Sequence, residues 1–516
     1  MSLIFQITNN RNFPLNSTNM GFLEVDNWDD FGFKTLFYLT VFDEEGKSHE
    51  IGSVKIGFIG QTGGYTKDKL NSSFEVLPDS FFSLGQDVEY YKKIASLSAD
   101  TASGLLIALK DVTYNSKIFE TVDEEEVFNT SLLRDTHKIS IKDQYARILH
   151  GDAPLTEYNF SYKKEKSSSY SGIDVEFKVV PNSIPPSNIH IVIGRNGVGK
   201  TTLLNNMVEC IISDSTSDNL GHFSVKDGWI DDTDIKECFA GVVSISFSAF
   251  DPFKPAINNT KNNESKIRYH YVGLRKVNES SGYAIKSPDD LCYELFTSLK
   301  KCFSLREKIT RWVKAVKKLE TDLNFKDMDL ISSVKIFNSD STSNKTNFKK
   351  HIINKYGLMS SGHAIVLLSI TKLIETVEEK TLILLDEPES HLHPPLLSAF
   401  IRALSDLLIN RNAVAILATH SPVVLQEVPK SCVSILDRKR LTLKVYRPEN
   451  ETFAENVGIL TREIFGLEVV KSGFHNLLTG SVNSGESYEE IIKEYNNQLG
   501  FEGKAILRSL IANRDK

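Results

Sequence analysis

The stretch "IHIVIGRNGVGKTTLL", residues 189–204, constrains the chain more than any other. Five mostly apolar residues lead into Gly194, four further residues lead to Gly199-Lys200-Thr201, and "TTLL" continues with helix-compatible spacing. An apolar run this short, closed by glycines, predicts a buried strand, a tight turn and the first turn of a helix. That unit belongs to an open α/β sheet. The glycines let backbone N–H groups turn toward an anion, and the helix N-terminus adds a favourable dipole. The pattern therefore predicts nucleotide binding by Gly194, Asn196, Gly197, Gly199, Lys200, Thr201 and Thr202. In a loop of this spacing Lys200 reaches the β- and γ-phosphates of ATP, and Thr201 offers a hydroxyl to Mg²⁺.

Two further apolar runs end in polar groups. "TLILLDEPESHLHPP" delivers Asp386-Glu387 to a strand end, where Asp386 can hold Mg²⁺ and Glu387 can orient and deprotonate a water. "AVAILATHS" ends at Thr419-His420, and His420 becomes a candidate contact to the terminal phosphate. Chemistry gathered at strand C-termini is the rule for open α/β sheets. Ahead of both, "LMSSGHAIVLL" (358–368) sets Ser360, Ser361 and Gly362 before an apolar run, which predicts a serine-capped helix.

Taken together these residues resemble the ABC-type ATPase fold. "GRNGVGKTT" is similar to its Walker A, "LILLDEPE" to its Walker B, "MSSGH" to its signature and "ATHS" to its H-loop, in the expected order. "DEPESHLHP" and "LATHSPVVL" resemble the SMC, RecF and OLD-like branch, and the stand-alone ATPases of bacterial anti-phage systems of Septu PtuA and PARIS type. The resemblance covers about 170–460 and implies two heads closing face to face around ATP. Lys200, Thr201, Asp386, Glu387 and His420 would act on a head's own nucleotide. Ser360, Ser361 and Gly362 would meet the partner's. His363 departs from the usual signature, and no glutamine follows "GVVSISFSAFDPF", where Ser246, Ser248 and Asp251 are the candidates for the Q-loop position.

The 516 residues exceed one ordinary domain. The expected divisions are a β-rich N-terminal region (1–165), a first ATPase half (166–250), a helical lobe with insertions (251–355), a second ATPase half (356–445) and a helical tail (446–516). "FKTLFYLTVFDEEGKSHEIGSVKIGFIG" predicts a hairpin, and "NNTKNNESK" (258–266) and "NSDSTSNKTNFKK" (338–350) predict exposed insertions. The five cysteines are scattered, with no CxxC pair, so neither a disulfide framework nor a zinc ribbon is expected. No apolar stretch is long enough to span a bilayer and no signal peptide opens the chain, so a cytoplasmic protein is expected.

Net charge is −7, and residues 1–150 hold 14 Lys and Arg against 22 Asp and Glu, a poor nucleic-acid surface. Residues 298–320 are locally basic, on a one-sided amphipathic helix. The gap from Thr201 to Ser360 is too short for an SMC coiled coil, and no nuclease pattern follows His420. The expectation is an ATP-dependent homodimer or higher oligomer that regulates a separate effector, a nuclease or toxin, in bacterial anti-phage defence. A RecF-like DNA clamp using 298–320 is the alternative, and a transporter subunit fits less well.

Overall fold

The strand that leads into Gly194 lies within a seven-stranded sheet. Across the sheet the order is Arg268–Gly273, Gly241–Ser246, Thr381–Asp386, Val414–Thr419, Ile189–Gly194, Val433–Lys439 and Thr442–Tyr446. All neighbours are parallel except the last pair. The central strands read as continuous apolar runs because both faces of the sheet are covered. One face carries the helix Lys200–Ile212 and a four-stranded antiparallel sheet that includes Tyr158–Lys164 and Ile173–Val179. The other carries the helices Pro288–Phe303, Arg306–Leu319, Ser361–Thr376 and Pro394–Arg411. This is the α/β P-loop fold with a helical lobe that the motifs imply. The computed structural model describes the chain except residues 1–2, 11–12, 15–16, 135, 137, 139–140, 142–144, 150–156, 168–171, 213–219, 228–229, 234, 249–266, 279–281, 341, 343–344, 440–441, 471–472 and 516.

The N-terminal region is a separate unit, not an extension of the central sheet. Six strands, in the order Ser73–Phe74, Ile4–Thr8, Met20–Val25, Leu36–Phe42, Ser48–Phe58 and Phe81–Gly85, build their own core with the helices Val88–Ala95, Ala99–Ala108 and Ser116–Val122. The expected hairpin is its centre, with Leu36–Phe42 antiparallel to Ser48–Phe58.

Two expected boundaries move. Residue 165 falls just past Tyr158–Lys164, a strand whose Tyr158, Phe160 and Tyr162 pack in the ATPase core, so the N-terminal unit closes before Tyr158. The lobe also begins later than 251, because Arg268–Gly273 is an edge strand of the central sheet. The expected insertion at 338–350 is partly core: Phe348 is fully buried against Phe296, Phe303 and Phe337. The insertion at 258–266 and the Q-loop candidate Asp251 lie outside the described residues.

The basic stretch is turned largely inward. On helix Arg306–Leu319, Arg306 meets Glu24 at 2.6 Å and lies over the Tyr38 ring, and Arg311 meets Asp87 at 2.6 Å. Lys308 is buried, donating to Glu375 O, and Lys318 meets Asp406 at 2.5 Å. Just before the helix, Lys301 meets Glu375 at 2.7 Å. Arg411 joins this set by reaching both Asp87 and Glu378. Although burial works against ionisation, Arg311 and Arg411 hold the Asp87 carboxyl well below its usual range. The pairs to Glu24 and Asp87 fasten the N-terminal unit to the ATPase head, the others tie the lobe to the head itself, and Lys314 and Lys317 are left exposed.

The tail is helical, as Val457–Val470, Phe474–Asn483, Tyr488–Glu494 and Phe501–Arg514, with a small core of Val482, Ile491 and Leu507. Among the described residues no helix is long and apolar enough to cross a membrane. All five cysteines are free thiols.

Candidate functional site

The sheet register sets the polar strand ends side by side. Ile193 pairs with Thr419, Asp386 with Ala418, and Ser246 with Asp386. The Walker A, Walker B and H-loop residues thus emerge from one edge, and Ser246 is the Q-loop candidate that the register puts beside Asp386. Gly197 and Gly199 adopt φ of +80° and +103°, which side-chain-bearing residues rarely take, and a Cβ on either would meet nothing within 4 Å. The conformation of the turn, not crowding, is what calls for glycine at both positions. Gly194 has a different reason, since a Cβ there would lie 2.5 Å from Leu436 O.

Lys200 begins the helix and folds back on the loop, donating to Gly194 O at 3.0 Å and Arg195 O at 3.3 Å. Burial lowers its ammonium below the ordinary lysine range, against the opposing pull of Glu387, Asp386 and Glu389. A buried cation surrounded by carboxylates is stabilised when a polyanion arrives. Thr201 follows on the first helical turn and Asp386 ends its strand, so this edge offers the hydroxyl and carboxylate that Mg²⁺ takes alongside phosphate oxygens. The residues fit Mg²⁺ with ATP.

Glu387 sits at φ 46°, ψ 61°, a left-handed position uncommon outside glycine, held by its N–H donating to Ala418 O at 2.8 Å. The turn aims the chain out of the strand. Nδ1 of His420 lies 3.6 Å from Glu387 Oε1 and 3.0 Å from Glu389 Oε1. The sequence assigns Glu389 no role beyond its place in "DEPESHLHP", yet it organises this corner. Its Oε1 accepts from Thr419 Oγ1 at 2.6 Å and from the His420 N–H at 2.7 Å, so one buried carboxylate fixes the H-loop backbone.

The "SSG" triplet does cap a helix. Ser360 Oγ accepts from the His363 N–H at the start of Ser361–Thr376, and Ser360 and Ser361 are exposed. Gly362 is buried, and a Cβ there would come 2.3 Å from His391 O. Its local reason is backbone packing against the segment after Walker B. His363 is buried too, with Nε2 3.3 Å from Asp322 Oδ1, and His393 Nε2 is 2.8 Å from Asp322 Oδ2. Nothing in the sequence singles out Asp322 or joins it to His393 of "DEPESHLHP", because the three residues come from distant parts of the chain.

Fold and site define a P-loop ATPase domain of ABC type. Residues 304–426, holding the signature, Walker B and H-loop, match the family described as "AAA domain, putative AbiEii toxin, Type IV TA system". The chain is 44% identical over 516 residues to Protein ea59 of Escherichia phage lambda, covering 98% of this chain and 97% of that protein. The chain belongs to the ea59 family. Solved structures similar to it include an ATP-binding cassette of an ABC transporter in its ADP conformation, at 14% identity and TM-score 0.29, covering 58% of this chain and 94% of that one. Another is cbiO1 from Clostridium perfringens, part of an ABC transporter complex, at 14% identity and TM-score 0.28, covering 56% and 88%. Similarity that low carries no weight for the fold, which rests on the strand order and register above.

Proposed function

We propose that the chain binds and hydrolyses ATP, and that two copies close around the nucleotide, each reading the other's ATP with Ser360 and Ser361. The observation that carries this reading is the meeting of Lys200, Asp386, Glu387 and His420 on one sheet edge, with Glu389 fixing the H-loop. Lys200 neutralises charge on the transferring phosphoryl group. Glu387 orients and deprotonates the attacking water, and His420, beside it, holds the terminal phosphate. Magnesium, bound through Thr201 and Asp386, supplies charge neutralisation on the phosphate oxygens.

Dimer formation is supported by the exposed serines at the N-terminus of a 16-residue helix, where the helix dipole favours an anion. We further infer a cytoplasmic role in phage–host conflict, in which the ATPase regulates a separate nuclease or toxin. The matched family, described as a putative toxin of a type IV toxin–antitoxin system, supports the conflict role. A RecF-like DNA clamp has less support, because Lys301, Arg306, Lys308, Arg311 and Lys318 face partners inside the chain.

The test is Glu387→Gln. It should bind ATP as the wild type does, accumulate as an ATP-bound dimer and lose turnover. Hydrolysis at the wild-type rate would remove Glu387 from the mechanism.

A further inference from the structure

We propose that Asp322, His363 and His393 form a binding site for one divalent transition-metal ion of the zinc type. The three side chains come from three elements: Asp322 caps the helix Leu323–Asp327, His363 stands in the first turn of Ser361–Thr376, and His393 caps Pro394–Arg411. One donor atom from each lies within 4.8 Å of the other two. Both imidazoles present Nε2 to the same carboxylate, His363 at 3.3 Å from Oδ1 and His393 at 2.8 Å from Oδ2. Ligand atoms about 2.0–2.1 Å from a tetrahedral zinc ion stand roughly 3.3 Å apart. The His363–Asp322 spacing already meets that, and the exposed His393 needs to swing outward by about half an ångström.

The surroundings orient the donors as metal-site surroundings do. His363 Nδ1 lies 2.7 Å from Ser360 Oγ, so its N–H can donate there and leave the Nε2 lone pair facing inward. The Phe325 ring packs edge-on against His363 at 5.1 Å, and the Phe325 N–H donates to Asp322 Oδ1 at 3.1 Å. His393 Nδ1 has only a long 3.5 Å contact with the Leu396 N–H. Losing that contact as His393 takes the Nδ1–H tautomer costs little.

Asp322 and His363 are nearly closed from solvent, at 6% and 10% side-chain exposure, whereas His393 is at 50%. The site is walled on one side and open on the other, which gives the ion a path in and leaves room for water as a further ligand. Two imidazoles and one carboxylate suit zinc, cobalt or nickel, and suit magnesium and calcium poorly. A bound ion would join the signature turn to the segment after Walker B, so it would set where Ser360 and Ser361 stand. That consequence rests on the ATPase reading; the binding itself does not.

The test uses the full chain without a polyhistidine tag, stripped with a chelator and titrated with Zn²⁺ and Co²⁺ without nucleotide. One equivalent should bind, Co²⁺ should develop the visible absorption of a low-coordinate site, and Zn²⁺ should raise the melting temperature. His393→Ala, at an exposed position, should weaken Zn²⁺ binding more than about 100-fold, and Ser360→Ala about 10–100-fold. If Asp322→Asn fails to fold, His393→Ala still carries the test. Absence of binding would make the triad a hydrogen-bonded staple only, and undiminished binding by His393→Ala would put the ion elsewhere; either overturns the proposal.

Discussion

Removing the Asp87 carboxylate should loosen the N-terminal unit from the ATPase head. Asp87 Oδ2 accepts from Arg311 at 2.6 Å and Arg411 at 3.1 Å, and the side chain is 3% exposed. Its Oδ1 also accepts from the Glu89 N–H and caps the helix Val88–Ala95. Asp87→Ala therefore leaves Arg311 buried without that partner, although Arg411 keeps Glu378. Breaking one side of a buried ion pair costs about 3–5 kcal/mol, and losing a helix cap adds about 1 kcal/mol. Urea unfolding at neutral pH should show a loss near the sum, about 4–6 kcal/mol for the transition containing the N-terminal unit.

The pH dependence fixes the sign. The folded-state pKa of Asp87 lies below its ordinary value of 3.8, so its stabilisation is complete well above that pH and fades as pH falls toward the folded value. The gap between wild type and Asp87→Ala should narrow in acid. A loss under 1 kcal/mol, or a gap that widens as pH falls, would refute the reasoning.

Three further outcomes follow from the same contacts. Gly362→Ala forces a Cβ against His391 O, a backbone atom that cannot yield cheaply, and should cost about 1–3 kcal/mol in urea unfolding. Glu389→Ala leaves Thr419 Oγ1 and the His420 N–H without their acceptor, and the lost positioning should lower kcat about 10–100-fold with nucleotide affinity kept, measured by steady-state hydrolysis and fluorescent-nucleotide binding. Charge reversal of the exposed Lys314 and Lys317 should change DNA affinity less than about 2-fold at any salt concentration, since the neighbouring cations face partners within the chain; a steep salt slope lost on reversal would restore the DNA clamp.

Consecutive residues made the candidate nucleotide site legible. Gly194 to Thr201, Asp386-Glu387 and Thr419-His420 each sit at the end of an apolar run, and parallel pairing brings such ends to one edge. Groups joined across the sequence stayed hidden. Glu389 stands two residues past Glu387, but its work depends on Thr419 and His420 30 and 31 positions away. Asp87 and Arg411 are 324 residues apart, and His363 and His393 meet only through Asp322. The lobe's basic helix read as a possible DNA contact because sequence counts its charges without showing the acidic side chains opposite. The amphipathic period was nonetheless right: Trp312, Val316 and Leu319 are buried in the main core. Gly362 read as a phosphate-binding residue of the signature, whereas its closest constraint is a carbonyl of its own chain.

The central claim is that each ATP is hydrolysed between two copies, with Lys200 from one and Ser360 from the other. Mixing Lys200→Ala with Ser360→Arg tests it directly, since both variants should be inactive alone. Random pairing makes half the dimers mixed, and each mixed dimer keeps one site with both wild-type contributions, so the mixture should recover about a quarter of wild-type turnover. A mixture that forms mixed dimers yet stays inactive would show that Lys200 and Ser360 do not act across two chains.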